Sequence, residues 1–452
     1  METTTIDVPS FIDERRISAF QYMVIGLCTL IMIVDGFDTQ AISYAATLMA
    51  KEWGLTRAAL GPIFSSSLIG LMVGYLAIPP LSDRYGHRRV IILSSVFFAI
   101  FTLLTATASG VTELIVLRFL TGLGLGGVAP SAIAMTGEYS PKRLRATFVL
   151  IIYCGFSLGF VLAGFAAAKL LPTLGWPSLF YLGGILPIVF AVLMALFMPE
   201  SLDHLVLRRG DMERVKAILR RIDAGFLAPA AAVFSMGERE PGRLAVSRLF
   251  QQNRSLPTLL LWLVFFINLG EFYALQSWLP SVLRGMDYPM DKVALTTSLT
   301  TVGGILIAFV VGPCMDRIGP YFTVGILYIC GAAAVILTGT LLHSAFWVVM
   351  ACTFLTGVCI SGGQKSVIAL AAIYYPASIR STGVGWALGI GRLGGIAGPL
   401  AVGFLFSAGW SATSVFFAAG LPLVVAGISI FIIGHLSNRG VSALRPAPSA
   451  TS

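Results

Sequence analysis

The sequence predicts an all-α integral membrane protein of twelve transmembrane helices, arranged as two pseudo-symmetric six-helix halves. Three observations carry this. The 452 residues are 57% hydrophobic and only 11% charged, against roughly 25% charged in soluble domains, and no soluble fold hides so much apolar surface from water. Apolar runs of about twenty residues, long enough to cross a bilayer as a helix, recur along the chain. Two Gly-rich passages repeat at a nearly constant offset.

Taken in order, the runs place spans at about 20–46, 58–81, 89–108, 113–136, 146–168 and 177–198. A second set falls at 256–281, 293–315, 320–341, 345–372, 382–406 and 412–435. Asp13, Glu14, Arg15 and Arg16 precede the first run, which has no small-residue cleavage site and contains two aspartates. It reads as a retained span, not a signal peptide. Short connections make neighbouring helices alternate in direction. Alternate loops hold Arg84, Arg88 and Arg89, then Lys142, Arg143 and Arg145, then Arg317, then Arg380, while the opposite loops are poorer in cations. By the positive-inside rule both termini lie in the cytoplasm and the protein sits in the cell's inner (plasma) membrane.

The expected domains are an N-terminal half at 1–198, a cytoplasmic linker at 199–255, a C-terminal half at 256–436 and a disordered tail at 437–452. The linker carries ten Lys and Arg and an amphipathic stretch at Met212–Ile222, for which a lipid-headgroup contact is a weak second reading. The net charge of +9 follows from basic loops and calls for no nucleic acid. Cys28, Cys154, Cys314, Cys330, Cys352 and Cys359 lie in or beside apolar runs without metal-ligand spacing. They read as small apolar fillers, and no metal or cofactor is expected.

Phe119-Leu-Thr-Gly-Leu-Gly-Leu-Gly-Gly127 is echoed by Phe354-Leu-Thr-Gly-Val-Cys-Ile-Ser-Gly362, 235 residues later. At the same offset Tyr139, Pro141, Arg145 and Thr147 match Tyr374, Pro376, Arg380 and Thr382. Asp83-Arg84-Tyr85-Gly86 is matched by Asp316-Arg317-Ile318-Gly319 at an offset of 233. The positions correspond in topology: spans 4 and 10, and the turns after spans 2 and 8. Such duplication suits two bodies that rock about a midplane site.

At this point the chain resembles the major facilitator superfamily, whose hallmark between spans 2 and 3 is G-x-x-x-D-R-x-G-R-R. Here it reads Pro79-Pro-Leu-Ser-Asp83-Arg84-Tyr85-Gly86-His87-Arg88-Arg89, so Pro79 replaces the leading glycine and His87 the first following arginine. Within that superfamily the resemblance is to the aromatic acid:proton symporters. It is carried by Asp35-Gly36-Phe37-Asp38-Thr39, by Arg118 to Pro130, by Glu138-Tyr139-Ser-Pro141, by Ser277-Trp278-Leu279-Pro280 and by Arg380 to Arg392. It covers about 20–435. It implies a proton symporter that imports a hydroxybenzoate-like carboxylate. Import of a sugar acid or phenylpropionate, or export of such acids, remains the alternative. A membrane enzyme is disfavoured because no nucleophile elbow, H-E-x-x-H or P-loop is present. The expected partners are a small aromatic acid, protons and the lipid bilayer, with the chain monomeric.

A charge near the bilayer centre costs several kcal/mol by most estimates, which makes it a functional candidate. Asp35 and Asp38 share one face of span 1 through their i,i+3 spacing and, being close in low dielectric, resist joint ionisation. With Arg118 they are assigned to proton coupling; a structural ion pair is the other reading of Arg118. Glu271 joins them as the acid of span 7, with a buried pair, for instance to Lys365, as its alternative. Lys365 itself reads either as a switchable cation or as a snorkelling one. Arg392 can grip a carboxylate with two parallel hydrogen bonds and is assigned to substrate, with Phe37, Tyr44, Phe272, Gln364 and Trp386 around it. Trp278 reads as an outer-interface anchor. Asp83, Arg84, Arg88, Glu138, Arg143, Arg145, Asp316, Arg317 and Arg380 form the expected cytoplasmic gate.

Overall fold

The computed structural model describes residues 5–206, 211–226, 232–236, 246–251, 254–375 and 379–443. Among them twelve helices are long and apolar enough to cross a membrane. Lipid offers no hydrogen bonds to an exposed backbone, so each span satisfies its own N–H and C=O groups. Spans 1 to 6 are Ala19–Glu52, Ala59–Ala77, His87–Thr105, Val111–Glu138, Lys142–Leu174 and Pro177–Phe197. Spans 7 to 12 are Ser255–Arg284, Met290–Ile318, Pro320–Thr340, Phe346–Tyr374, Gly383–Ser407 and Ala412–Ser437.

Most spans run past the apolar runs that predict them. Span 1 continues six residues beyond position 46, and the last helix continues to Ala443. Polar turns extend a helix once its apolar stretch has nucleated it. Span 2 departs the other way. The expected run to 81 breaks after Ala77, and Pro79–Tyr85 forms a separate short helix. The Pro79–Pro80 pair lacks the N–H groups needed to continue the ladder.

The chain forms two compact units, Met1–Leu55 with Pro62–Gly242, and Thr56–Gly61 with Arg243–Ser452. In the first, span 1 packs on spans 4, 5 and 6, and span 3 on spans 4 and 6. In the second, span 7 packs on spans 10, 11 and 12, and span 9 on spans 10 and 12. The same helices therefore meet in each unit, six numbers apart.

The repeated motifs have repeated jobs. Gly86 and Gly319 end the two D-R-x-G turns at φ 95°, ψ 144° and φ 110°, ψ 140°, a conformation that L side chains rarely adopt. Gly122 of span 4 lets span 2 approach so closely that a Cβ would strike the Ser67 carbonyl. Gly357 of span 10 does the same against the Thr300 backbone of span 8.

One end of the first unit carries an added layer. Thr5–Asp7 pairs in parallel with Val233–Ser235. The helix Val8–Asp13, capped by Asp7, buries Val8, Phe11 and Ile12. Linker helix Met212–Ile222 buries Val215, Ile218, Leu219 and Ile222 in the same core. Its apolar face is thereby used within the protein. Arg15 clasps Asp223 at 2.7 Å and holds its carboxyl below the usual carboxylate range. Arg143 donates to the backbone oxygens of Asp13 and Arg15.

Candidate transport site

Span 1 delivers Asp38, and span 4 delivers Arg118, to the middle of the first unit. Both are fully buried. The guanidinium donates to both carboxylate oxygens, Nη1 to Oδ1 at 3.1 Å and Nη2 to Oδ2 at 2.9 Å. Nη2 also reaches the Asp38 backbone oxygen at 3.3 Å and Ser67 Oγ of span 2 at 3.5 Å. Thr102 of span 3 donates to Oδ1 at 2.8 Å. The Phe180 ring of span 6 lies 5.8 Å from the guanidinium carbon. Five spans thus converge on one charge pair, and bidentate geometry makes it strong. Arginine keeps its charge at every relevant pH, so a proton can enter this pair only at Asp38, and it would cost the fork one of its bonds.

Of the two aspartates, Asp38 is the one that the structure brings to Arg118. Asp35 is buried one turn earlier, 2% exposed. Phe37 and Tyr44 are also buried in the first unit, the Phe37 ring against Gly183 of span 6. Thr102 and Ser67 escaped the sequence reading, because hydroxyls are common in apolar helices and carry no spacing signal.

In the second unit, the half-buried Arg392 of span 11 donates from Nη1 to the Tyr273 hydroxyl of span 7 at 3.0 Å. Phe272 packs edge-on against Tyr273, centroids 5.2 Å apart. Asn268 donates to the Ile360 oxygen of span 10, and Gln276 to Thr300 and Thr301 of span 8. Lys365 donates to the Gly304 oxygen at 3.0 Å, while Gln364 beside it is half-buried. Trp386 stacks on Trp262 at 5.8 Å and remains 45% exposed.

Two side chains depart from readings that the sequence leaves open. Glu271 does not pair with Lys365; it lines a cavity of about 350 Å³ among spans 7, 9, 10, 11 and 12. At 100° per residue, Glu271 and Tyr273 point to opposite sides of span 7, so Glu271 does not share the Arg392 site. Trp278 is 3% exposed and donates to the Pro399 oxygen at 3.0 Å. It is therefore a tie between spans 7 and 11, not an interface anchor.

At the layered end of the first unit, Glu138 accepts from Ser201 Oγ at 2.9 Å and from the Asp203 N–H at 3.4 Å, with His87 Nε2 at 3.7 Å. Glu200 accepts from the Arg88 N–H at 3.2 Å, at the start of span 3. Its carboxylate overlies Gly86, where a Cβ would intrude. The Arg88 side chain donates to the Ala195 oxygen. Tyr139 donates to the Glu200 oxygen at 2.7 Å, and burial pushes its phenol well above the usual range. Of the expected gate residues, Glu138, Arg88 and Arg143 thus meet polar partners at this end, and Arg145 lines a cavity of about 340 Å³ beside Glu138. Arg84, Asp316 and Arg317 are exposed. The side chains of Asp83 and Arg380 lie outside the described residues. Glu200, Ser201 and Asp203 were missed because their partners are over 60 residues away in sequence.

A duplicated bundle that holds ionised side chains in its interior is the architecture of a multi-pass membrane transporter. The chain matches the Major Facilitator Superfamily over residues 28–339 and 291–451, and it belongs to that family. It is 38% identical to the 4-hydroxybenzoate transporter PcaK of Pseudomonas aeruginosa, over 96% of this chain and 97% of the relative. It is 36% identical to a gallate transporter of Pseudomonas putida, over 97% of each. In fold it is similar to the crystal structure of a D-xylose-proton symporter, with TM-score 0.73 and 17% identity over 91% of this chain and 98% of the other. The protein is a transporter, not an enzyme.

Proposed function

We propose that this protein imports a hydroxybenzoate-like aromatic carboxylate together with protons. The observation that carries the reading is the buried Asp38–Arg118 fork, in a chain similar over nearly its whole length to transporters of 4-hydroxybenzoate and gallate. Asp38 accepts the proton as the fork opens, and Asp35 on the same helix face assists it. Arg392, steadied by Tyr273, receives the substrate carboxylate, and Phe272 adds an aromatic wall. The halves 1–198 and 256–436 alternate access across the inner membrane, with both termini cytoplasmic. The chain works as a monomer.

Uptake of labelled benzoate, 4-hydroxybenzoate, protocatechuate and hydroxyphenylpropionate into proteoliposomes tests the reading. An inward proton gradient should drive accumulation of the hydroxybenzoates. Accumulation that persists after a protonophore collapses the gradient would defeat the symport claim.

A further inference from the structure

The cavity beside Glu271 is built for a ligand unlike an aromatic carboxylate. All its lining residues belong to the second unit, and Glu271 is the one ionisable side chain among them. The rest of the wall is aliphatic, small or aromatic, including Phe266, Trp278, Phe406 and Phe416. Glu271 makes no hydrogen bond or ion pair with the described residues. The Trp278 ring is fixed by its indole bond to the Pro399 oxygen and by Phe406, centroids 5.0 Å apart.

An ionised carboxyl in such surroundings would need a counter-charge, which an anionic ligand cannot supply. A cation with an apolar body supplies that counter-charge and finds aromatic rings in the wall, the combination that recognises organic ammonium groups. The volume, about 350 Å³, is within the range of small-molecule pockets. The cavity is also separate from the Arg392–Tyr273 pair. Glu271 and Gly394 line it, whereas Tyr273 and Arg392, each two residues along and so about 200° around its helix, do not.

We infer that the Glu271 cavity is a second binding site, for a lipophilic organic cation such as an aryl-alkyl ammonium, distinct from the site of the transported acid. That the two sites are distinct rests on the proposed assignment of the acid to Arg392; the cation site itself does not.

Calorimetry on the full chain in nanodiscs tests it, with phenethyltrimethylammonium as probe and its neutral isostere 3,3-dimethylbutylbenzene as control. Wild type should bind the cation. Glu271→Gln should weaken binding by about tenfold or more, and Glu271→Asp should retain part of it. The neutral control should bind wild type and Glu271→Gln alike. Ala419→Leu, which enlarges a side chain of the span 12 wall, should abolish binding of both compounds. Excess 4-hydroxybenzoate should leave cation binding in place. Equal cation affinity in wild type and Glu271→Gln, or unchanged binding in Ala419→Leu, would overturn the assignment, as would displacement of the cation by 4-hydroxybenzoate.

Discussion

The two units share a scaffold and differ in what they do with charge. In the first, Asp38 and Arg118 neutralise each other at zero exposure, clasped by Thr102 and Ser67. In the second, Arg392 of span 11 is half-buried and rests on the phenol of Tyr273, and Glu271 of span 7 faces an apolar cavity on the other side of that span. The glycine contacts and D-R-x-G turns are nearly superimposable in role; the polar centres are not. Backbone geometry was thus kept by the repeat while the side chains at the centre diverged. In the proposed division of labour, a fully buried ion pair handles protons and a half-buried cation handles the substrate.

The most severe test of this asymmetry is Arg118→Ala. It leaves Asp38 buried without its counter-ion, and we expect a loss of about 3–5 kcal/mol in stability and no transport, read by thermal unfolding and by uptake. Arg118→Lys should keep the charge but lose the fork, and fall between. The scaffold's symmetry is tested next by Gly122→Ala and Gly357→Ala. Each drives a methyl into a neighbouring backbone and should cost a similar amount, about 1–3 kcal/mol; a large difference between them would break the equivalence of the two halves. Tyr273→Phe should cost only about 1 kcal/mol in stability while raising the apparent KM for the acid, since Arg392 loses the hydroxyl that steadies it. The smallest effect belongs to the Arg15–Asp223 clasp. Because the folded carboxyl titrates lower than the unfolded one, its contribution is full above the unfolded value near 4. It fades as pH falls through the folded value. Limited proteolysis of the linker should therefore accelerate below about pH 4 in wild type, and Asp223→Asn should remove that acid dependence.

Much of this was legible in the sequence because the bilayer enforces it. Span number follows from hydropathy, and the repeat glycines announce close helix contacts before any coordinates are seen. Arg118 was a recognisable partner for a span 1 aspartate, since a lone guanidinium in an apolar helix must find an acid. The choice of Asp38 over Asp35 depends on rotation of span 1, which one turn of ambiguity hides. Glu271 shows the same limit more sharply. It was legible as the acid of span 7, but a place along a span does not reveal which side of the helix a residue faces. Trp278 was misread because an aromatic near a span end is equally compatible with the interface and with a helix–helix seam. The linker helix declared a buried face by its amphipathic pattern, but such a pattern does not say what buries it.

The parallel pairing of Thr5–Asp7 with Val233–Ser235 has a consequence for biogenesis. The first strand leaves the ribosome before any of the six spans that follow, yet its partner is made 228 residues later. Such a long loop closes slowly. The first half can be inserted span by span, but the layer over its end is sealed only after the linker has been synthesised. Seating that strand then marks the completed first half as a finished folding unit, ready before the last six spans enter the bilayer.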